Sequence, residues 1–230
     1  MRAALPERAT TLTAREIRTR LARRVRRSDL QVSSELLSGL VAYLELLARW
    51  NRKINLTSLP LLDPTDETFD RLLLEPLIAA KHLPSPECSV IDIGSGGGSP
   101  GIPLKLARPG ICLRMVESKT RKAAFLREAV RQLGLSRVVV ETLRFEELLA
   151  QPGLHEAHDV ATLRAVRIET LTMRTLQAFL KPGGRAFLFQ SRSAESALPQ
   201  VLTMFSVEGV YPLVEAFGSQ LAILKKATLP

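Results

Sequence analysis

The chain has 230 residues, 46% hydrophobic and 24% charged, which is long enough to bury a full core and too apolar for general disorder. Its formal net charge of +9 is unevenly placed: residues 1–27 hold nine arginines against Glu7 and Glu16, a net of +7, so the remainder carries only +2. No apolar run approaches the roughly 20 residues of a membrane span, and no signal-type apolar core follows the N-terminus. The two cysteines, Cys88 and Cys112, lack C-x-x-C spacing and read as free thiols. The expectation is a cytoplasmic monomer with no membrane association and no metal.

In chain order, a basic arm (1–29) precedes a helical segment (30–86) and a larger α/β domain (87–230). Arg2, Arg8, Arg15, Arg18, Arg20, Arg23, Arg24, Arg26 and Arg27 suit an anionic partner, because each arginine that neutralises a phosphate releases counterions. A solvated arm has equal claim, and an organellar transit peptide is a third reading. Within the arm, Thr13-Ala14-Arg15-Glu16 forms a capping box, followed by Ile17, Leu21 and Val25 on one helical face. A helix is predicted from Ser34 to Trp50, with Leu36, Leu37, Leu40, Leu44 and Leu47 as its apolar stripe. Pro60 and Pro64 mark an irregular connection, and a second helix, Asp66 to His82, ends before Pro84 and Pro86.

From Ser89 onward strands and helices alternate. Strands are predicted at Ser89–Ile93, Cys112–Val116, Val138–Thr142, Asp159–Leu163 and Arg185–Gln190, with helices at Ile102–Ala107, Lys119–Leu133 and Ile168–Phe179. This rhythm predicts a mostly parallel, doubly wound sheet covered on both faces. Lys181-Pro182-Gly183-Gly184 should turn the chain sharply between a helix and the strand after it. A helix after Ser193 and an antiparallel hairpin, Val207–Leu213 with Leu221–Lys225, should close the chain.

Chemistry concentrates at Val90 to Gly101, V-I-D-I-G-S-G-G-G-S-P-G, where a short apolar strand breaks into a glycine loop. In such sheets ligands bind at the carboxyl ends of the strands, near the point where strand order reverses. Gly96, Gly98 and Gly101 satisfy the dinucleotide pattern G-x-G-x-x-G, but Gly94-Ser95 already consumes the turn and Pro100 falls where the helix should begin to pack. The other frame is D-x-G-x-G-x-G, through Asp92, Gly94, Gly96 and Gly98. It suits S-adenosylmethionine, which has no pyrophosphate and instead offers an ammonium and a carboxylate to an acid and to loop amides. Glu117, at the end of the next strand, would accept from both ribose hydroxyls. A glycine turn made for packing alone is the bland alternative.

Three segments carry a family resemblance: D-I-G-S-G-G-G-S-P-G-I-P-L from Asp92, V-E-S-K-T-R-K-A-A-F-L-R-E from Val116 and L-R-A-V from Leu163. With L-L-A-R-W-N-R-K-I-N-L-T from Leu46, they resemble the bacterial 16S ribosomal RNA guanine-N7 methyltransferases, historically called glucose-inhibited division protein B. The resemblance implies the class I S-adenosylmethionine-dependent (Rossmann-like) fold, preceded by a helical segment and closed by an antiparallel C-terminal strand. It further implies methyl transfer to N7 of a guanine in the decoding-region hairpin of 16S rRNA, with the 30S subunit as partner. Gly94 and Ser99 would border the cofactor, Phe145 and Glu146 would lie beside its adenine, and Arg164 would face cofactor and substrate as a positioning group.

Lys119, Arg121 and Lys122, with Arg164, are the candidate phosphate contacts. The chain departs from the family's common pattern at Ser99, at Leu72 within Arg71–Leu77, and at Gln190 within Phe189–Arg192. Neither cysteine follows a proline, as cytosine-C5 chemistry would favour, and no Asn/Asp-Pro-Pro loop follows the fourth strand. No catalytic role falls to His82, His155 or His158. A methyltransferase of the same fold acting on another RNA or a small molecule, or a non-catalytic RNA-binding relative, are the alternatives.

Overall fold

The computed structural model describes residues 12–28, 30–165, 169–191 and 204–227. The expected rhythm becomes one seven-stranded sheet: β1 (Ser89–Ile93), β2 (Cys112–Val116), β3 (Val138–Glu141), β4 (His158–Arg164), β5 (Leu180–Ser191), β6 (Phe205–Val214) and β7 (Ser219–Lys226). The order is β3-β2-β1-β4-β5-β7-β6. The first five strands run parallel, whereas β7 pairs antiparallel with β5 and β6 with β7. The hairpin expected at the C-terminus is therefore present. The helix expected after Ser193 lies outside the described residues.

Alternation along each strand supplies both faces of the sheet. Val90, Leu113, Met115, Val160 and Phe187 join one apolar cluster with residues of α5 (Gly101–Ala107) and α6 (Thr120–Gln132). Ile91, Ile93, Ala161, Leu163 and Leu188 join another with Met173, Leu176 and Phe179 of α7 (Thr170–Phe179). Asp92 shares the face of Val90, an orientation that later decides its role.

The N-terminal segment packs on the first of these clusters. Helix α1 (Ala14–Arg27) carries the predicted capping box, and Ile17, Leu21 and Val25 are buried beside Leu40, Leu44 and Leu47 of α2 (Ser34–Asn51). Arg24 grips the fully buried Asp70 through two hydrogen bonds of 2.7 and 2.6 Å, so the basic segment is held by charge as well as by apolar contact. Asn51 closes α2: its Oδ1 accepts from the backbone of Leu56 and Thr57, and its Nδ2 donates to the Thr57 carbonyl. Trp50 rests edge-on against Phe125, at 5.8 Å between centroids, as a packing residue.

The single helix expected over 66–82 is instead composite: α3 (Asp66–Phe69), a π-helical turn (Asp70–Leu74), α4 (Glu75–Ala79) and a 3-10 turn (Ala80–His82). Pro76 supplies the reason. It has no N–H, so the helix widens around it and the Glu75 N–H reaches back to the Asp70 carbonyl. An α-type bond from Leu72 and a π-type bond from Arg71 would both need the missing Pro76 donor. Those two carbonyls are taken by side chains from β4 and the glycine loop: Arg164 donates to Arg71, and the Ser99 hydroxyl donates to Leu72 at 2.9 Å.

The Lys181-Pro182-Gly183-Gly184 turn also differs from expectation. Leu180 already pairs with His158, and pairing resumes at Val160 with Arg185, so the four residues bulge within β5 rather than precede it.

Candidate active site

The glycine loop lies at the carboxyl end of β1, beside the switch in strand order between β1 and β4. Gly94, Gly96 and Gly98 have φ of 68°, 52° and 89°. At Gly98 the requirement is twofold, because a Cβ there would also stand 2.5 Å from Ile102 of α5. The loop is pinned from three sides: the Ser95 N–H donates to the Val116 carbonyl, the Ser95 hydroxyl donates to the Asp92 carbonyl, and the Tyr43 hydroxyl donates to the Gly97 carbonyl at 2.7 Å. Tyr43 comes from α2 and is fully buried, so the helical segment clamps the loop directly.

Two cavities meet at this loop. The larger, about 1020 Å³, runs from Gly94–Gly97 and Ser99 past Leu47, Leu56 and Arg71 to Glu75, Arg164, Phe189 and Gln190. The smaller, about 240 Å³, is walled by Ile93, Leu143, Phe145 and Glu146. Gly94 and Glu117 belong to both. Glu117 is nearly buried, with Oε2 accepting from the Gly96 N–H at 3.0 Å and Oε1 from the Lys119 N–H at 2.8 Å. The carboxylate is thereby fixed between the two spaces, and each oxygen retains a lone pair for a further donor.

Most of the predicted residues converge here, and two take other roles. Gly94, Gly96, Ser99, Glu117 and Arg164 line the larger cavity, and Phe145 and Glu146 the smaller. Gly98 lines neither, and its missing side chain serves the packing of α5. Asp92 is also absent from both walls. Strand alternation turns it inward beneath the loop, where Oδ1 accepts from the Thr162 hydroxyl at 2.6 Å. Burial pushes its pKa up to about 6, against the lowering effect of Thr162. A Cβ on Gly101 would stand 2.8 Å from Asp92 Oδ2, so Gly101 makes room for this acid. Of the candidate phosphate contacts, Lys122 lines the larger cavity, whereas Lys119 and Arg121 are exposed outside it.

Arg164 is half-sequestered at the inner end of the larger cavity. Its guanidinium donates to the Arg71 carbonyl, stands 2.9 Å from Glu75 Oε2 and lies 4.5 Å over the Phe189 ring. Tyr43 and Glu75 were not legible as site residues. Tyr43 interrupts an otherwise aliphatic helix face, and Glu75 stands next to a mid-helix proline; these were the available signals.

The donor set suits S-adenosylmethionine: one fixed carboxylate for a ribose diol, a glycine backbone open to close approach, and an apolar-walled recess beyond them for a purine ring. A parallel sheet with these features at its switch point defines a class I methyltransferase. Solved structures with this fold include the putative methyltransferase yhhF of Escherichia coli (TM-score 0.55, 17% identity, 74% of this chain and 92% of that one). Another is a SAM-dependent methyltransferase of Aquifex aeolicus (TM-score 0.53, 14% identity, 70% and 93%). The family model described as rRNA small subunit methyltransferase G matches residues 36–220. A protein of that name from Stenotrophomonas maltophilia is 34% identical over 192 residues, covering 81% of this chain and 84% of its own. One from Dichelobacter nodosus is 45% identical over 116 residues, covering 50% and 53%. The chain belongs to the rRNA small subunit methyltransferase G family.

Proposed function

We propose that the protein transfers a methyl group from S-adenosylmethionine to N7 of a guanine in 16S rRNA, with the 30S subunit as substrate particle and the enzyme acting as a cytoplasmic monomer. The observation that carries this reading is Glu117, held by two backbone amides at the junction of two cavities of unequal size. Glu117 would hold the ribose hydroxyls, Phe145 and Glu146 the purine, and the amides and carbonyls of Gly94–Gly97 the methionine part. When bound, the cofactor supplies an electrophilic methyl on a sulfonium.

The protein's own task is alignment. Guanine N7 presents an in-plane lone pair and carries no proton at neutral pH, so no general base has to be furnished. In the larger cavity the Ser99 hydroxyl is turned to the Leu72 carbonyl rather than to a base. Leu47, Leu56 and Phe189 exclude water from its walls, and Arg164 sits where it can orient the acceptor. Lys122 at the rim, with Lys119 and Arg121 outside it, would meet phosphates.

Incubation with labelled cofactor and 30S subunits from cells lacking this activity tests the proposal. Nucleoside mass spectrometry should show one new N7-methylguanosine in 16S rRNA. Intact cofactor binding with no methylated nucleoside overturns the substrate assignment.

A further inference from the structure

The larger cavity contains two kinds of polar lining. Around the glycine loop the polar groups are paired: Glu117 with two backbone amides, Ser99 with the Leu72 carbonyl, Ser95 with Asp92. At the far end they are not. Glu75 is 3% exposed and its Oε2 faces Arg164; the Ser219 hydroxyl lies beside the carboxylate but is turned to the Val214 carbonyl, and Oε1 is left without a well-formed hydrogen bond among the described residues. Gln190 has neither amide atom paired among the described residues, and the Arg164 Nε is likewise without a partner. A buried polar group left unpaired costs about 1–3 kcal/mol, so a cluster of three is a cost that a ligand edge can offset.

The cluster lies apart from the cofactor end. Glu117 closes β2, whereas Gln190 lies near the end of β5, three strands away in the order β2-β1-β4-β5. At about 4.8 Å per strand that is roughly 14 Å. The distance places the unpaired groups at the acceptor's end of the cavity.

We infer that Glu75 and Gln190 read the Watson–Crick edge of the target guanine. This inference rests on the function proposed above and names the groups that select its base. Guanine presents on that edge two adjacent donors, N1–H and the 2-amino group, followed by the acceptor O6. A carboxylate accepts from the two donors and the Gln190 amide donates to O6, which leaves N7 on another edge of the ring, free to face the methyl. Adenine presents an acceptor at N1, and a carboxylate there repels it. Arg164 orients Glu75 through the 2.9 Å contact and favours its carboxylate form against the burial that raises its pKa, and stacking on Phe189 keeps the guanidinium at the cavity wall. Glu75 and Gln190 are specificity residues in this scheme, and Arg164 is a positioning residue acting through Glu75.

Guanosine and inosine monophosphates differ only in the 2-amino group, so they test the Glu75 contact directly. With the protein saturated with S-adenosylhomocysteine, ligand-observed NMR should find GMP binding about ten- to a hundredfold tighter than IMP, the loss expected for one hydrogen bond to a charged group. AMP should bind more weakly than either. In Glu75→Gln the GMP and IMP affinities should converge, while S-adenosylhomocysteine affinity stays at the wild-type value. Glu75→Asp, which retains the carboxylate, should keep part of the preference and provides the control if the amide variant unfolds. Gln190→Leu should weaken GMP and IMP equally, since both carry O6.

Equal binding of GMP and IMP by the wild type, absence of GMP binding at millimolar concentration, or a preference that survives in Glu75→Gln each overturns the inference. So does a fall in S-adenosylhomocysteine affinity with the preference intact, which would assign Glu75 to the cofactor. Failure of the wild type to methylate 30S subunits would instead overturn the proposed function, and the nucleotide titration does not depend on it.

Discussion

Two buried acids line the same cavity and are held in opposite ways. Glu117, at the end of β2, receives a backbone N–H on each oxygen. Glu75, inside a distorted helix, is met by the side chains of Arg164 and Ser219 and leaves an oxygen without a well-formed hydrogen bond among the described residues. Backbone amides of a loop pinned by Tyr43, Ser95 and the sheet have no rotamers to lose, so Glu117 is set before any ligand arrives. Glu75 is set by side chains, and burial pushes its pKa up while the Arg164 charge opposes that. On the proposed reading, the cofactor end is therefore lined by paired groups, whereas the acceptor end leaves polar atoms for a ligand. In enzymes of one fold and many substrates, that division lets the acceptor end change while the cofactor end stays.

The sharpest way to break the comparison is to remove the fixed acid. Glu117→Ala should lower S-adenosylmethionine affinity by about a hundredfold, the loss of two charge-assisted hydrogen bonds to the ribose. Calorimetry reads this directly, and an affinity within threefold of the wild type would show that Glu117 serves only the loop.

Disturbing the loop without touching the acid should move stability instead. Gly98→Ala forces a Cβ to 2.5 Å from Ile102 at a φ of 89°, and should cost about 2–3 kcal/mol in urea unfolding. An unfolding midpoint unchanged by the substitution would mean that α5 moves freely away from the loop.

A third test lies at the amino end of β4, away from the cavity. Burial lowers the pKa of His158 from 6.5 to about 4, against the effect of the Phe179 carbonyl, which lies 3.3 Å from Nδ1. Between those values the unfolded chain binds the proton first, so this contribution to stability is complete above pH 6.5 and is lost as pH falls toward 4. Asp92, raised from 3.8 to about 6, binds its proton first in the folded state and acts in the opposite sense over much of the same window. The two partly cancel in the wild type. Comparing it with His158→Asn removes the Asp92 contribution from the difference, which should change by about 1.4 kcal/mol per pH unit below 6.5. A difference that stays flat with pH would mean that His158 titrates normally.

Tyr43→Phe removes one hydrogen bond to the loop and should cost about 1 kcal/mol of stability, with cofactor affinity falling a few-fold through loosening of Gly97. Thermal unfolding and calorimetry together check it. A loss confined to stability would show that the loop keeps its shape without the clamp.

Local signals made much of this legible from sequence. A β-branched run, an acid and a glycine cluster locate β1 and its loop, and the acid ending the next apolar run locates Glu117, because strand, turn and strand end are all short-range features. The capping box and the Ile17, Leu21 and Val25 spacing likewise locate α1. What failed was orientation and reach. Asp92 has the position of a cofactor ligand in the sequence, but period-2 alternation turns its carboxylate under the loop toward Thr162. Pro76 lies in a helical pattern, yet which distant side chains take the carbonyls it leaves free is decided by β4 and the loop. Tyr43 and Gly97 are 54 residues apart, and nothing local in either announces the other.

The smallest expected effect concerns α1, where charge is partitioned between holding the helix and facing outward. Arg24 is committed to Asp70, Arg20 to Asp63, and Arg18 to the hydroxyls of Ser34 and Ser38. Arg15, Arg23, Arg26 and Arg27 are exposed, with no ion pair among the described residues. At 100° per residue these four fall within an arc of about 120°, opposite the buried Ile17, Leu21 and Val25. Deleting the segment would strip cover from α2 and confuse binding with unfolding, so substitution is the cleaner probe. Replacing one of the four by Gln should reduce the slope of log K against log salt for a 16S rRNA fragment by about 0.7–0.9 if that side chain meets a phosphate, and replacing all four by up to about 3.6. Cofactor affinity should not change, because none of the four lines the cavity. Unchanged slopes across the set would mean that the basic stripe faces solvent in the complex and that RNA is held from the Lys122 side alone.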